Sequence, residues 1–182
     1  MCAIAGEIRP NGGVPCERAH EMQDELRRRG PDQSGIYMSD SAVLVHTRLC
    51  VVDIEKGRQP MRCTHGGERY VIVYNGELYN TAEIRDELIA RGCEFTGHSD
   101  TEVVLNAYAV FGSECVYKFN GIFAFAIWDE KKRRLFFARD RKAAGDRRAG
   151  RDGDHAHRPR QNAGIRRVQR NRGTQARLLR LL

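Results

Sequence analysis

The chain has 182 residues and is 41% hydrophobic, so it is long enough for one domain with a substantial core and too short for two large ones. Its net charge of +7 lies near one end: residues 142 to 182 carry 11 Arg and one Lys against three Asp, a net +9, so residues 1 to 141 carry −2. The body of the protein is therefore slightly acidic, and the overall charge does not identify a nucleic-acid partner.

Nothing in the sequence predicts a membrane span, an export signal, a metal site or a disulfide framework. No run of 18 apolar residues occurs, and the N-terminus lacks a basic segment followed by an apolar stretch and a cleavage site. Six cysteines are scattered without a C-x-x-C pair or a cluster of histidines. We expect a soluble, cytoplasmic protein in which only Cys2 stands out, because of its position.

Predicted strands and helices follow one another from Met1 to Arg141. Runs rich in β-branched and aromatic residues predict strands, and apolar residues at helical spacing predict helices. In chain order these are a strand at 2–9, a helix at 16–29, strands at 35–38, 42–46 and 70–74, helices at 81–91 and 100–111, and strands at 121–128 and 134–138. The run at 121–128 is apolar throughout, which indicates a sheet buried on both faces and covered by a layer on each side.

Three short signals mark the ends of the predicted helices. Asn80 with Glu83, and Ser99 with Glu102, have the spacing of a capping box, in which each side chain bonds to the backbone N–H of the other residue. Gly92 stands where a helix commonly ends in a left-handed residue.

The composition changes after Arg141. Residues 142 to 182 contain no Phe, Trp, Tyr, Cys, Met, Ser or Glu and are dominated by Arg, Ala and Gly. We expect one domain over residues 1 to 141 and a disordered Arg-rich tail over residues 142 to 182, whose final RLLRLL could form a short amphipathic turn. The tail composition also fits a GC-rich gene read out of frame, and the sequence leaves a frameshift and an evolved extension both open.

Cys2 becomes the first residue of the chain if Met1 is removed. Its free α-amine, with a pKa of about 7.7 to 8.0, could then act near neutral pH as the base for its own thiol. Nucleophile and base would be supplied by one residue. A cysteine at position 2 can also arise by chance, so this interpretation depends on the rest of the sequence.

Eight sequence blocks strengthen it: CAIAG, RRGPDQSG, HTRLCVVD, QPM, YNGELYN, SDTEVVL, FNGIFAFAIWD and FFARDR, in this order. Together they resemble the class II glutamine amidotransferase domain of asparagine synthetases. The resemblance implies an α+β fold, the four-layer αββα sandwich of N-terminal-nucleophile hydrolases, incomplete at its C-terminal end. It also implies an enzyme that hydrolyses the side-chain amide of L-glutamine to glutamate and ammonia through a thioester at Cys2.

The resemblance assigns Asn75 and Gly76 to the oxyanion hole, where an amide side chain and a backbone N–H stabilise the charge that develops on the amide oxygen. Asn-Gly between apolar runs is also the commonest hairpin-turn signal, which is the alternative here. Arg48 matches the family residue that holds the α-carboxylate of glutamine by paired hydrogen bonds. A lone Arg at a strand end is otherwise usually solvated.

Other residues of these blocks match the remainder of the glutamine site. Glu77 and Asp100 correspond to acceptors for the α-ammonium group, and Asp100 also lies at a predicted helix start, where a carboxylate favours the helix dipole. His46 and His98 are expected to have packing or capping roles, because the amine of Cys2 already supplies the base. The pocket would be lined through the backbone of Leu49, Cys50, Val51 and Val52.

The sequence departs from the family pattern at two places. Ala3 follows Cys2 where the family has Gly, and the added methyl could crowd the bound amide or restrict the backbone. After Arg141 the sequence has neither the closing strands nor the synthetase domain, which in the family uses ATP and Mg. We therefore expect this chain to need no cofactor, to be unable to make asparagine alone, and to expose sheet edges.

Two other functional classes remain open. The chain could be an inactive fragment or regulatory partner that associates with an intact synthetase through those edges, and it could also form a homodimer. It could instead bind nucleic acid through the Arg-rich tail, although that tail lacks interleaved aromatic residues and the body is acidic.

Overall fold

The computed structural model describes residues 2–9, 11–48, 57–140 and 177–181, the last of these by backbone alone. Its elements are β1 (Ala3–Ile8), α1 (Cys16–Leu26), β2 (Gln33–Met38), β3 (Ala42–Arg48), β4 (Met61–His65), β5 (Glu68–Leu78), α2 (Thr81–Ala90), α3 (Asp100–Phe111), a 3-10 helix (Gly112–Lys118), β6 (Gly121–Asp129), β7 (Arg134–Arg139) and β8 (Arg177–Leu181). In the described part of the chain, no helix has the length and apolar character needed to cross a membrane.

The strands form two four-stranded sheets that pack face to face. Sheet A has the order β2-β3-β1-β8 and sheet B the order β4-β5-β6-β7, with every neighbouring pair antiparallel. Helix α1 packs on the outer face of sheet A, and α2 and α3 pack on the outer face of sheet B. This arrangement confirms the predicted four-layer αββα sandwich.

The core fills the three interfaces between the four layers. Between the sheets, alternate residues of sheet A meet alternate residues of sheet B: Ile4, Tyr37, Ala42 and Leu44 against Val71, Val73, Ala126 and Trp128. In β6 the intervening residues Phe123, Phe125 and Ile127 point the other way, into the cluster formed with α2 and α3. From Phe123 onward the apolar run of β6 is therefore buried on both faces, as predicted, whereas Ile122 at its start is 53% exposed.

Helix α3 has its predicted bounds, and the Ser99 hydroxyl accepts the predicted capping bond from Glu102 N at 3.4 Å. The Glu102 carboxylate does not complete the capping box. It accepts from the backbone N–H groups of Thr96 and Gly97, at 2.7 and 2.9 Å, and so holds the loop before α3.

The ends of the other two helices differ in part from the prediction. Asn80 makes no side-chain capping bond to α2 and instead holds the segment before β6, accepting from Asn120 N and donating to Lys118 O, both at 2.9 Å. Gly92 has a φ of 85° just beyond α2, as predicted. Helix α1 ends at Leu26 rather than at residue 29.

Two strands were not predicted. β4 is a half-exposed strand without the apolar pattern of a buried one, yet Gly66 and Gly67, with φ of 58° and 76°, mark its tight turn into β5. β8 pairs with β1 from Ile8↔Arg177 to Ile4↔Leu181. Residues 177–181 of the Arg-rich tail thus form a strand at the edge of sheet A, beside β1; residues 142 to 176, where most of the predicted disorder falls, lie outside the described residues.

His46 joins the two sheets beyond the end of their apolar interface. Its side chain is 1% exposed, and its Nε2 lies 3.2 Å from the carbonyl oxygen of Tyr74 on β5. Because a carbonyl oxygen only accepts, Nε2 carries the proton in this bond. Burial is the main cause that lowers the pKa of His46 to about 4; the bond to Tyr74 opposes this shift, and the charge of Arg48 adds to it. The packing role predicted for His46 is confirmed.

The lowered pKa predicts a pH-dependent stability. Between pH 6.5 and about 4, the unfolded chain binds a proton on His46 that the folded chain does not, so the free energy of unfolding falls as the pH falls through this window. From pH 7 to pH 5 this group should cost about 2 kcal/mol, at about 1.4 kcal/mol for each pKa unit. Urea unfolding at the two pH values measures the loss.

The His46→Gln variant keeps a side-chain N–H donor that does not titrate, and should lose less stability over this range than the unmodified chain. His20→Gln alters an exposed histidine and serves as the control. An equal pH dependence in the unmodified chain and in His46→Gln would contradict the burial of His46.

Candidate functional site

Cys2 and Arg48 lie at the same end of sheet A. Cys2 immediately precedes β1, and Arg48 is the last residue of β3. The register pairs Ala3 with Thr47, so extending it by one pair places Cys2 opposite Arg48. Since alternate residues of a strand share a face, Cys2 belongs to the face of Ile4, which packs toward sheet B. The candidate nucleophile is therefore aligned with the space between the sheets.

Arg48 is held by the first residue of β2 and by the segment that leads into this strand. Its side chain is buried, with 8% of the residue exposed, and Nη1 donates to Gln33 Oε1 at 3.3 Å. Its backbone carbonyl accepts from Asp32 N at 3.1 Å. Gly30 packs so closely on this strand that a Cβ there would collide with the backbone of Thr47 and Arg48. The interpretation of Arg48 as a solvated strand end is therefore wrong, and the RRGPDQSG block fixes this residue.

On sheet B, β5 continues beyond the end of its neighbour β4. The last pair of that ladder is Met61↔Ile72, so the backbone of Tyr74 has lost its strand partner on this edge. Side chains replace it: Tyr74 N donates to Gln59 Oε1 at 2.6 Å, and Tyr74 O accepts from His46 Nε2 at 3.2 Å. Because buried backbone groups need hydrogen-bond partners, these two side chains stabilise the extended part of β5.

Asn75 and Gly76 lie within β5, opposite Ala124 and Phe123 of β6, so the hairpin-turn alternative is wrong. An added Cβ on Gly76 would lie 2.6 Å from the Cα of Phe123, which explains why this position is glycine. In an antiparallel sheet, the N–H groups of successive residues point to opposite edges. The Gly76 N–H therefore points to the same edge as the Tyr74 N–H, the edge beyond the end of β4.

The side chain of Asn75 lies on the same face of β5 as Val73, the face that packs toward sheet A. The Asn75 side chain thus projects toward sheet A and the Gly76 N–H lies in the plane of sheet B, both near the end of the sandwich where His46 bonds to Tyr74. Glu77 follows on the exposed end of β5. Asn75, Gly76 and Glu77 therefore all lie on β5 of sheet B.

Asp100 begins α3 beside the same stretch of β5. Its Oδ2 accepts from the Tyr74 hydroxyl at 2.9 Å and from Leu78 N at 3.2 Å. Burial raises the pKa of this carboxyl group, while these hydrogen bonds act in the opposite direction. The carboxylate is thus fixed by β5, and its place in the first turn of α3 favours the helix dipole, as predicted. Its role as an acceptor for the ammonium group stays a prediction.

An open pocket of about 430 Å³ lies between β2, β3 and the segment before β4. Arg48 and Arg58 give its lining positive charge, which suits a carboxylate ligand, and His46 is neutral at pH 7 because of its low pKa. The lining residues are Gln33, Ser34, Gly35, Ile36, His46, Arg48, Arg58, Gln59 and Pro60. Leu49, Cys50, Val51 and Val52, which were predicted to line the glutamine pocket, are outside the described residues, as is Met1.

The methyl group of Ala3 does not face this region. Ala3 is completely buried in the cluster that joins sheet A to α1, with Ala19 and Met22. Strand alternation puts it on the opposite face from Cys2. The expected crowding of a bound amide by the side chain of Ala3 is therefore wrong.

The structure brings the described site residues to one end of the sandwich, Cys2 and Arg48 on sheet A and Asn75, Gly76, Glu77 and Asp100 on sheet B and α3. No role was predicted for Gln33, Gln59 or Tyr74, although Gln33 bonds to Arg48, Gln59 to the backbone of Tyr74, and the Tyr74 hydroxyl to Asp100. All three stand inside the quoted blocks, in RRGPDQSG, QPM and YNGELYN. Finding these partners from the sequence would have required the strand register.

Comparisons with known proteins agree with this geometry. Residues 1–145 match the family model described as "Glutamine amidotransferase domain". The chain is 50% identical over 143 residues to "Asparagine synthetase [glutamine-hydrolyzing] 3" of Bacillus subtilis strain 168, covering 78% of this chain and 23% of the relative. It is 39% identical over 142 residues to "Asparagine synthetase B [glutamine-hydrolyzing]" of Escherichia coli K12, covering 77% and 25%.

A solved structure shows the same fold at low sequence identity. The glutamine phosphoribosylpyrophosphate amidotransferase of B. subtilis, complexed with ADP and GMP, superimposes with a TM-score of 0.60 at 18% identity, covering 76% of this chain and 37% of that one. The chain spans about a quarter of the length of the asparagine synthetases it matches. It belongs to the glutamine amidotransferase family, as a domain homologous to the glutaminase half of asparagine synthetases.

Proposed function

We propose that this chain hydrolyses the side-chain amide of L-glutamine, releasing ammonia and glutamate through a thioester at Cys2. One observation carries the proposal: the His46–Tyr74 bond joins the end of sheet A that holds Cys2 and Arg48 to the stretch of β5 that holds Asn75 and Gly76. A nucleophile, a cation for a carboxylate and donors for an oxyanion are thereby available at one end of the sandwich.

The nucleophile is Cys2, activated by its own α-amine after removal of Met1. His46 is a poor base for it, because its Nε2 proton is used in the bond to Tyr74 and its pKa is lowered to about 4. Burial raises the pKa of the thiols of Cys63 and Cys115 to about 12, which makes both poor nucleophiles at neutral pH.

The donors for the tetrahedral intermediate are the Asn75 amide and the Gly76 N–H. Attack of the Cys2 sulfur on the amide carbon moves charge onto the amide oxygen, and donors fixed before the reaction stabilise that charge best. Tyr74 provides the rigidity, since its N–H, its carbonyl and its hydroxyl are each bonded to a different side chain. Water then hydrolyses the thioester and releases glutamate.

The α-carboxylate and α-ammonium groups of glutamine are bound by opposite charges on different layers. The buried guanidinium of Arg48 on sheet A suits the carboxylate, with the fork geometry that Arg offers. Asp100 and Glu77 suit the ammonium, and an ammonium beside Asp100 would offset the burial that raises the pKa of its carboxyl group. We infer that a cytoplasmic pool of glutamine supplies this site.

The use of the ammonia is a separate proposal. The matching relatives are named asparagine synthetases, and this chain spans about a quarter of their length. We infer that the ammonia passes to an acceptor on an intact synthetase with which this chain associates. A role as an inactive regulatory partner would be the conclusion if no hydrolysis is found.

Substitution of Cys2 gives the first test of the reaction. Cys2→Ala should abolish release of ammonia from glutamine, because it removes the attacking sulfur. Cys16→Ala removes an exposed cysteine outside the site and should retain full activity, so it is the matched control. Ammonia release is measured on both variants, with intact mass to establish whether Met1 is absent. Retained activity in Cys2→Ala would rule out the proposed nucleophile.

A second set of variants separates substrate binding from catalysis. Arg48→Ala and Asp100→Ala should raise KM more than they lower kcat, because they bind glutamine atoms that do not change in the transition state. Asn75→Ala should instead lower kcat by about 100-fold or more, as loss of an oxyanion donor commonly does. Arg134→Ala, at an exposed position of β7, is the control. Similar changes in kcat and KM for all three site variants would contradict these roles.

A further inference from the structure

The side-chain amide of Gln59 connects β5 to α3. Its Oε1 accepts a hydrogen bond from Tyr74 N at 2.6 Å, and its Nε2 donates to Thr101 Oγ1 at 3.2 Å. Thr101 is buried, with 3% exposed, and Gln59 is half-buried. The Gln59 carboxamide thus accepts a hydrogen bond from strand β5 and donates one to helix α3.

The strand ladder explains why a side chain is needed at this position. Continuing the Met61↔Ile72 register by two residues would put Gln59 opposite Tyr74, but β4 begins only at Met61. The Gln59 side chain therefore takes the hydrogen bond that a longer β4 would have made from its backbone. The Gly35 position on β2 faces the backbone of Gln59, since an added Cβ there would collide with its carbonyl oxygen.

The two ends of the Gln59 amide reach the neighbours of two predicted site residues. Tyr74 directly precedes Asn75, and Thr101 directly follows Asp100. The Tyr74 hydroxyl also donates to Asp100 Oδ2 at 2.9 Å, so hydrogen bonds and chain connections form a closed ring through Gln59, Tyr74, Asp100 and Thr101. A change at Gln59 would loosen Asn75 and Asp100 relative to each other.

We propose that Gln59 is a positioning residue for the amidotransferase reaction: it fixes the oxyanion donors on β5 relative to the ammonium acceptor at the start of α3. This rests on the proposed function. The Oε1 bond to Tyr74 acts on the rate of the chemical step, since it aligns Asn75 and the Gly76 N–H. The Nε2 bond to Thr101 acts on glutamine binding, since it aligns the first turn of α3.

Three variants separate the two bonds. Gln59→Met keeps the length of the side chain and removes both bonds, so kcat should fall by about tenfold or more and KM should rise. Thr101→Val removes only the bond to Nε2, so KM should rise several-fold while kcat stays within about twofold. Thr101→Ser keeps the hydroxyl and should restore both parameters.

Asn80→Leu provides the matched control. Asn80 also bridges two chain segments through its carboxamide, but its partners are Lys118 O and Asn120 N. This variant should leave kcat and KM unchanged. A loss of activity caused only by weakened folding would appear in Asn80→Leu as well, and would scale with the unfolded fraction measured by circular dichroism.

Amide hydrogen exchange gives a readout that does not depend on activity. The Tyr74 amide should exchange slowly in the unmodified chain and Thr101→Val, and much faster in Gln59→Met. Unchanged exchange in Gln59→Met, or kcat and KM within about twofold of the unmodified chain, would overturn the positioning role. An unmodified chain that exchanges as expected but releases no ammonia would instead refute the proposed function.

If Gln59→Met does not fold, the Thr101 variants still test the proposal. A KM that rises in Thr101→Val and recovers in Thr101→Ser supports it, and an unchanged KM in Thr101→Val overturns it.

Discussion

The site depends on one constraint: β5 is longer than the strand beside it, and the backbone of its extra residues must still find hydrogen-bond partners. Tyr74 bonds to two side chains: Gln59, from the segment before β4, and His46, from the other sheet. The Gly76 N–H, two residues further on, points to the same edge, where the described residues form no strand. In the proposed reaction, this early end of β4 is what makes the backbone N–H of Gly76 available to glutamine.

The same alternation that builds the core also selects the residues of the site. Along the face between the sheets, Val71 and Val73 are followed by Asn75 on β5, and Leu44 is followed by His46 on β3. On each strand, the side chains that face the other sheet thus change from apolar to polar between one residue and the next on that face, while the backbone stays extended. The site residues are therefore supported by the packed core on rigid strands, which favours donors that are fixed in advance of the reaction.

Much of the fold follows from local patterns, whereas the site does not. The burial of β6 on both faces from Phe123 onward and the bounds of α3 could be predicted from apolar runs and helical spacing. β4 was missed because its residues are half-exposed. The burial of Arg48 and the strand position of Asn75 depend on register between segments far apart in the sequence, which a local pattern does not encode. The roles assigned through the family resemblance remain predictions, and those of Leu49, Cys50, Val51 and Val52 lie outside the described residues.

The central claim is that the N-terminal cysteine attacks glutamine at the end of the two sheets. Its most direct test is to mix the purified chain with glutamine, quench the reaction in acid within its first turnovers, and map the peptides by mass spectrometry. We expect a glutamyl thioester on a peptide that begins at Cys2, with Met1 absent. Steady release of ammonia with the adduct on another cysteine, or from a chain that retains Met1, would contradict it.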